Sequence, residues 1–522
     1  MSKLKVTLAA LAFSLAFGSS AQSTVMNVLN LKSAKQSGEI VESNKLVGYY
    51  IFYFKEKADK KTSTYEIELF DDNYNSLKNF EITRPKNANL LEMVFNGEVF
   101  MLHFYDQKTG YEFVTYDRTG KQLGSTKIAV DNISRWELQR AAANLSANTE
   151  NVTLYPTGST GFIRQTFTKN KKLGYEIVAY NNEAEEVWSY GSSETSTLVE
   201  TAELNDVNEE LLAVTVYKKK NNMTREMDLF CLLLNTKSGK LIAEVEMGNE
   251  TAGRQSLMKA FVDGKTQKIV LMGEFYKPGD DMLKDKSLGL YMRELSLEGK
   301  DLSMTQYKWK GDIDKFKNEN LDEEDKKDAN KPYYMFFHNV IRSENGHLFL
   351  IGEQFKKQVS GMGVASAALG GGASAFEILI ANMVVIEFDE KNKMVDFDLI
   401  QKKKTPVLLE AGMGTWGTTY LGYYLNALGA FDYAFTSSDR AADKYNIVYV
   451  DANRREDKES AKSDVMIGVI NIDGGKKTEE RIPINTKARF WWIQPAKPGF
   501  IAVGEYYRKD KKIEFRMEPL TY

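Results

Sequence analysis

One short phrase occurs three times in this chain, and it constrains the fold more than any other feature. The copies are residues 269–277 (IVLMGEFYK), 348–356 (LFLIGEQFK) and 500–508 (FIAVGEYYR). Each is an apolar run followed by Gly-Glu, one or two aromatic residues and a cation. Recurrence of this kind indicates a supersecondary unit copied along the chain. Because 522 residues exceed one ordinary core, we expect either several domains or a ring of repeats.

The repeating unit is wider than the Gly-Glu phrase. After each apolar run comes a second strand, and eight such strands occur; seven of them end in a turn, as in 111–116 (YEFVTY) before 117–121 (DRTGK), and the eighth leads to the C-terminus. Alternating side chains indicate half-buried strands, and Asp or Asn with Gly supplies the positive-φ residue of a tight hairpin. A further strand precedes each run and a short one follows each turn. The aromatic content of 12% also favours strands.

Four antiparallel strands in roughly 45 to 60 residues are typical of one blade of a β-propeller. The sequence therefore predicts an all-β propeller, with eight blades favoured, seven as the alternative count, and two stacked sandwiches as a weaker alternative. The expected blades lie near 37–84, 87–130, 149–192, 196–248, 254–310, 332–404, 424–485 and 486–522.

The last unit ends after its third strand, and a spare strand lies at 23–33 (STVMNVLNLKS). Pairing this strand with the last blade would close the ring and remove an exposed edge. We therefore expect the N-terminal strand to complete the final blade.

The N-terminus predicts export. Lys3 and Lys5 precede a charge-free apolar run, and small residues end at Ala21, which is the pattern of a signal peptide over residues 1–21. The run is too short to span a bilayer, and no later segment is apolar enough to do so. We expect residues 22–522 to form a single propeller domain in the periplasm, at the cell surface or outside the cell.

Several functional classes find no support in the sequence. A formal charge of −3 provides no basic field for nucleic acid. Cys231 lies in an apolar strand and is expected to be a buried small hydrophobe. His103, His338 and His347 lack zinc-ligand spacing, and no phosphate-binding, dinucleotide-binding or hydrolase motif occurs. We therefore predict no cofactor, no metal site and no catalytic residues.

Four insertions interrupt the repeat, near 134–149, 310–331, 359–381 and 408–431. The first is compatible with a short helix. The second is dense in charge and is expected to be a solvated loop. The third, from Val359 to Ala381, is read as a lid, a partner-docking arm or a hairpin extending blade 6, against the plainer alternative of a flexible connection.

The fourth insertion supplies the candidate ligand-binding residues, Trp416, Tyr420, Tyr423 and Tyr424. Aromatic side chains on loops above a rigid scaffold commonly bind sugars or peptides. They are the residues at which we expect a ligand.

The Gly-Glu phrases place Glu274, Glu353 and Glu505 at equivalent positions. In a ring, equivalent carboxylates lining one channel are one way to form an acid pair or a cation site. Repetition favours a structural role instead, with Gly allowing close approach of a neighbouring blade or a bulge, and Glu pairing with the Lys or Arg that follows it.

The N-terminus ending in Ala21-Gln22, the Gly-Glu-aromatic phrases and the Tyr-Glu-Ile/Phe strands resemble a family of uncharacterised exported proteins of Bacteroidota with a domain of unknown function. The resemblance implies the periplasm or cell surface and brings no activity. The leading hypothesis is a non-enzymatic binding or scaffold propeller of the bacterial envelope, with a protein or glycan as ligand. The alternatives are a propeller-type glycan-active hydrolase using channel carboxylates about 5 to 9.5 Å apart, and a membrane-associated assembly component that exposes apolar surface at 359–381.

Overall fold

The chain folds into eight antiparallel sheets that form the blades of a β-propeller, which confirms the all-β prediction and the count of eight. The computed structural model describes residues 23–29, 36–42, 45–147, 153–169, 171–221, 224, 227–249, 251, 253–263, 266–321, 323, 326, 331–368, 373–439, 442–453 and 464–520. The predicted signal peptide at 1–21 lies outside these residues.

Blades 1 to 4 each contain four strands that pair in chain order. After β1 (Ser23–Val25), they are β2 (Gln36–Glu42), β3 (Lys45–Glu56), β4 (Thr62–Asp71) and β5 (Ser76–Pro85); β6 (Asn89–Phe95), β7 (Val99–Asp106), β8 (Gly110–Asp117) and β9 (Gln122–Ile128); β10 (Leu154–Pro156), β11 (Gly161–Lys169), β12 (Leu173–Asn181) and β13 (Glu186–Gly191); and β14 (Val199–Val207), β15 (Leu211–Lys219), β16 (Asp228–Asn235) and β17 (Leu241–Glu246).

A two-stranded ribbon, β18 (Gly248–Asn249) and β19 (Gly253–Arg254), leads into blades 5 to 8. Their strands are β20 (Lys259–Asp263), β21 (Lys268–Phe275), β22 (Gly289–Ser296) and β23 (Asp301–Lys308); β24 (Tyr334–Arg342), β25 (Leu348–Val359), β26 (Ala373–Phe388) and β27 (Met394–Ile400), with β28 (Thr405–Glu410) as a fifth strand on β26; β29 (Tyr433–Asp439), β30 (Lys444–Asn453), β31 (Asp464–Asp473) and β32 (Lys476–Ile484); and β33 (Phe490–Pro495), β34 (Phe500–Tyr507) and β35 (Lys512–Pro519).

A separate hydrophobic core lies between each pair of successive blades, and a core between blades 8 and 1 closes the circle. Strand β3 shows why a core forms on each face of a blade. Tyr49 and Ile51 face the core shared with blade 8, whereas Tyr50 and Phe52 face the core shared with blade 2. Successive side chains point to opposite faces of a strand, so a sheet packed on both faces requires the continuous apolar runs seen in the sequence.

The N-terminal strand β1 pairs antiparallel with β35 and completes blade 8. Its order, β1-β35-β34-β33, places the N-terminal strand at one edge of the last sheet, as predicted. Beyond β1, the N–H of Val28 donates to the carbonyl oxygen of Lys511 at 2.8 Å. The part of the predicted strand at 30–33 lies outside the described residues.

The hairpin turns follow the prediction in several blades but not in all. Gly120 and Gly239 have φ of 85° and 66° at the turns where Asp or Asn with Gly was expected to supply a positive φ. In blades 1 and 3 that expectation is wrong, because Tyr74 (φ 61°) and Ala184 (φ 59°) take the position. Tyr74 is 1% exposed and stacks on Tyr49 with ring centroids 4.1 Å apart, which offsets the cost of the left-handed conformation.

The insertions carry the helices. They are α1 (Arg135–Ala147), α2 (Asp314–Asn320), α3 (Gly361–Ala368) and α4 (Thr418–Ala427). A π-type turn, Trp309–Ile313, precedes α2, and Ile313 and Lys317 are buried, so the expectation of a solvated loop is wrong for this half of 310–331. The third insertion is a continuation of the β25–β26 hairpin with α3 near its end. Among the described residues, none of the helices is long and apolar enough to cross a membrane.

Candidate functional site

A cavity of about 1060 Å³ lies between blades 5 and 6. Its walls come from the first strands of blades 4, 5 and 6 (β14, β20 and β24), from the end of β21, and from helices α2 and α4. The volume is at the upper end of the range for small-molecule sites, which is about 300 to 1000 Å³. This cavity is the candidate functional site.

Aromatic side chains make up much of the cavity wall. Among the lining residues are Tyr276, Trp309, Tyr334, Phe336, Phe337 and Tyr423. Trp309 stacks on Phe337 with ring centroids 6.1 Å apart and an interplanar angle of 9°, so its plane is fixed by packing. Flat aromatic faces held in position suit a ligand that has an apolar ring face and polar edges.

Helix α4 covers one side of the cavity. Leu421 and Leu425, one helical turn apart, are buried in a small core with Phe355 and Phe431. Gly422 lies under the Phe355 ring, where a Cβ atom would come within 2.7 Å of the ring. The apolar residues at positions i and i+4 explain why this segment is a helix and not the loop on which the aromatic residues were expected.

The structure separates the four aromatic residues that were predicted as a ligand site. Trp416 makes edge contacts with Tyr420 and Tyr424, at ring-centroid distances of 5.2 and 5.6 Å. Tyr423 projects elsewhere, lines the cavity and contacts Phe336 edge-on at 5.6 Å. The side chain of Tyr423 is 46% accessible, which fits its position in the lining of the cavity.

Glu274, the carboxylate of the first Gly-Glu phrase, belongs to this cavity. The indole N–H of Trp309 donates to Ser287 Oγ at 2.9 Å, and Ser287 Oγ donates to Glu274 Oε1 at 2.6 Å. Burial raises the pKa of Glu274 to about 7, against the opposing effects of the Ser287 hydrogen bond and the Lys286 charge. The hydrogen-bonded chain therefore ties the orientation of the indole to a carboxyl group that titrates near neutrality.

A second carboxylate, from blade 4, lines the same cavity. Glu203 on β14 accepts a hydrogen bond from the Tyr217 hydroxyl at 3.1 Å, and burial raises the pKa of Glu203. Burial also raises the pKa of Tyr423, and the carboxylates of Glu274 and then Glu203 raise it further. Tyr423 is thus close enough to both carboxylates for each of them to raise the pKa of its phenol.

The other two Gly-Glu carboxylates are not in the cavity. Glu353 is fully buried and pairs with Lys402 Nζ at 2.8 Å and His338 Nε2 at 3.2 Å. Glu505 pairs with Arg516 at 2.8 Å. The expectation that each Glu pairs with the cation that follows it is wrong, because the partners of both come from other strands or connections.

The glycine of the phrase has a packing role inside its own blade. Trp492 on β33 lies opposite Gly504, and a Cβ atom at that glycine would come within 2.4 Å of the indole. At Gly273 a Cβ atom would come within 1.8 Å of the Ser256 carbonyl oxygen. Gly is therefore required by the segment of its own blade that precedes the apolar run, so the neighbouring-blade alternative is wrong, whereas the bulge alternative fits Gly352, opposite which the register shifts between Phe337 and Asn339.

Sequence reasoning missed most of the cavity wall. Trp309, Lys286 and Glu203 were not singled out, although Trp309 directly precedes the charged insertion at 310–331. The signal that would have identified this wall is an aromatic residue, Trp309, at the junction of a blade and a long insertion. Within the described ranges, no group of three or more His, Cys, Asp or Glu side chains is arranged to hold a metal ion.

Several solved structures are similar to this chain at low sequence identity. An ulvan lyase of polysaccharide lyase family PL25, bound to a GlcA(1-4)Rha3S saccharide, is 9% identical with a TM-score of 0.34, over 82% of this chain and 91% of the lyase. The β-propeller domain of the Trilobed protease from Pyrococcus furiosus is 11% identical with a TM-score of 0.32, over 69% and 92%. Prolyl oligopeptidase B from Galerina marginata is 8% identical with a TM-score of 0.33, over 85% of this chain and 56% of the oligopeptidase.

Among curated proteins, no match was found. The chain does match a family model over residues 1–521, and it belongs to that family, which is described as a family of unknown function, DUF6770.

Proposed function

We propose that this protein is an exported, non-enzymatic glycan-binding propeller of the bacterial envelope, and that its site is the cavity between blades 5 and 6. The supporting observation is the held indole of Trp309, stacked on Phe337 and hydrogen-bonded through Ser287 to Glu274. Sugars present apolar ring faces and hydroxyl edges, and this wall offers an aromatic face beside hydrogen-bonding groups. Export follows from the N-terminal sequence pattern.

The test compares two tyrosines of the same helix. Tyr423 lines the cavity, whereas Tyr420 is similarly exposed, at 41%, but belongs to the cluster around Trp416. Residues 22–522 are screened against envelope and algal polysaccharide fragments, and the dissociation constant of each hit is measured by calorimetry. We expect Tyr423→Ala to weaken binding tenfold or more and Tyr420→Ala to change it less than twofold.

The opposite ranking would place the ligand at the cluster of Trp416, Tyr420 and Tyr424, which are three of the four residues that the sequence predicted. Failure of every glycan to bind would contradict the proposal. Thermal unfolding of both variants is the control for folding, because Tyr423 and Tyr420 both keep much of their surface accessible and their loss should cost little stability.

A glycan-active hydrolase is the second candidate, and one observation favours it. Glu274, with a pKa of about 7, and Glu203, with a raised pKa, approach Tyr423 from different walls of one cavity. A protonated carboxyl beside an ionised one is the pairing that glycosidic hydrolysis requires. Release of reducing ends from a bound glycan, abolished by Glu274→Gln, would establish this function over simple binding.

A protein partner would have a different surface available. On the extended hairpin of blade 6, Val359 lies opposite Phe376, and Val359, Val364 and Phe376 are 64%, 47% and 36% exposed. Exposed apolar side chains on a projecting element are a common docking feature. We propose this hairpin, within 359–381, as the contact for an envelope protein, to be tested by co-purification of the partner with the parent chain but not with a Val359→Asp variant.

A further inference from the structure

The cavity has a cationic side that the proposed glycan site does not yet explain. Lys286 lies just before β22, Lys310 in the turn after β23, and Lys317 on α2, and all three line the cavity. Lys286 Nζ donates to the Tyr333 carbonyl oxygen at 2.8 Å and lies 5.3 Å from the centroid of the Tyr334 ring. These two contacts hold the ammonium group of Lys286 at the cavity wall.

The acidic residues nearby do not neutralise this side. Asp314 pairs with Lys317 at 2.7 Å. Glu274 carries a pKa of about 7, so near neutral pH it supplies only part of a negative charge. Over the described part of the chain, neither Lys286 nor Lys310 forms an ion pair with a carboxylate. Among the described residues, the ammonium groups of Lys286 and Lys310 thus have no carboxylate paired with them at the cavity.

The three lysines also act on one another. Burial lowers the pKa of Lys286, and the charges of Lys317 and then Lys310 lower it further. Clefts lined by one sign of charge, with protein walls around them, concentrate the field and attract ions of the opposite sign. An anion placed between Lys286 and Lys310 would relieve their repulsion without displacing any ion pair of the described residues.

An aromatic face adjoins the same position. Trp309 directly precedes Lys310 in the chain, and its indole is held by Phe337 and Ser287. Lys286 directly precedes Ser287, which accepts the indole hydrogen bond, and Lys310 directly follows Trp309, so both lysines and the indole come from adjoining positions of the cavity lining. The distance from a sugar ring to its carboxylate or sulfate substituent is short, so one residue of an acidic glycan contacts both features.

We propose that the ligand is an anionic saccharide, whose carboxylate or sulfate group is bound by Lys286 and Lys310 while its ring packs against Trp309. This inference rests on the proposed glycan-binding function and specifies the chemical class of the ligand. Carboxylate and sulfate share the charge that the lysines recognise, and the experiment distinguishes them.

The experiment uses matched ligands and matched variants. Oligogalacturonate is compared with its methyl ester, and a sulfated oligosaccharide with its desulfated form, by calorimetry with residues 22–522. The variants are Lys286→Gln with Lys310→Gln, and the control Lys315→Gln, since Lys315 is 74% exposed on the same helix as Lys317 and does not line the cavity. Gln in place of Lys286 keeps a donor for the Tyr333 carbonyl oxygen.

We expect removal of the ligand charge to weaken binding tenfold or more. The double variant should weaken binding of the charged form equally and leave the neutral form within twofold, and the control should match the parent chain. Preference for one charged pair identifies carboxylate or sulfate as the group recognised. Thermal unfolding of the double variant near that of the parent shows that lost binding is not lost folding.

Two outcomes would overturn the inference in distinguishable ways. If a glycan binds equally with and without its charge, or the double variant binds the charged form as the parent does, the anionic class is wrong while glycan binding stands. If no oligosaccharide binds at all, the proposed function fails and this inference fails with it.

Discussion

Val25 lies directly opposite Ile513, in the pair formed by the first and last strands of the described chain. Both side chains are almost fully buried, at 1% and 0% exposure, in the core between blades 8 and 1. The ring is therefore closed by residues from the two ends of the sequence. Closure removes the free sheet edge that an open last blade would leave.

Removing the apolar contacts of this N-terminal segment should destabilise the whole ring. Val28 is 0% exposed in the same core, and a Val25→Ala, Val28→Ala double variant should lower the free energy of unfolding by about 2–4 kcal/mol. Urea unfolding measures the loss. Met26→Ala is the matched control, since Met26 is 52% exposed, and it should change stability by less than about 0.5 kcal/mol. Equal stability of the double variant and the control would show that the ring does not depend on this strand.

A buried charge network joins blades 6 and 7, and its central cation should be indispensable. Lys402 Nζ lies 2.8 Å from Glu353 Oε1 and also pairs with Asp432, with the Lys402 and Glu353 side chains 0% exposed. Lys402→Ala removes the ammonium group that both carboxylates share and should cost about 3–5 kcal/mol. The exposed neighbour Lys404 is the control, and Lys404→Ala should be nearly neutral in the same urea experiment. A Lys402→Ala variant as stable as the parent would mean that the network contributes nothing to folding.

The glycine of the Gly-Glu phrase should tolerate no side chain. A Cβ atom at Gly504 would come within 2.4 Å of the Trp492 ring, so Gly504→Ala should force the indole to shift and should cost about 1–3 kcal/mol. Gly361, at the start of α3, has open space where a methyl group would lie, with nothing within 4 Å, and Gly361→Ala should be neutral or slightly stabilising. Thermal unfolding of the two variants compares them, and equal midpoints would contradict the packing role of the phrase.

The propeller could be predicted because its signal is local and repeated. The apolar run and the strand after it recur in eight blades, seven of these strands end in a turn such as 117–121, and both faces of a blade are buried by its neighbours. Closure by β1 followed from counting strands, since blade 8 was one short. These features depend on strand periodicity and turn chemistry, which a single sequence displays directly.

The cavity could not be predicted, because its wall is assembled from residues distant in sequence. Four separate segments supply the wall, and no spacing rule connects the residues they contribute, which are Glu203, Glu274, Trp309 and Tyr423. Of the aromatic residues chosen from the fourth insertion, only Tyr423 lines the cavity, because the helical turn directs Tyr420 and Tyr424 toward Trp416. The sequence indicated the insertion that supplies Tyr423. The direction of each side chain depends on helix α4, which the sequence analysis did not predict.

Binding of an anionic ligand in the cavity should weaken as the pH rises through 7. The pKa of Glu274, ordinarily about 4.3, is raised to about 7 mainly by burial. Below pH 7 the carboxyl group is neutral and no longer opposes the attraction of nearby Lys286 for the ligand. Above pH 7 the carboxylate opposes that charge and repels the ligand. We expect the dissociation constant of the acidic saccharide to rise about five- to tenfold between pH 6 and pH 8.

Calorimetric titrations at pH 6, 7 and 8 measure this change, with Glu274→Gln as the matched variant. The groups that face or adjoin Glu274 are the ammonium of Lys286, the hydroxyl of Ser287 and the phenols of Tyr276 and Tyr423. Burial raises the pKa of both phenols, so they stay neutral in this range, and burial lowers that of Lys286, so its loss of charge is the competing cause. Affinity of Glu274→Gln should be independent of pH between 6 and 8. A variant that keeps the slope of the parent would assign the dependence to Lys286 and not to Glu274.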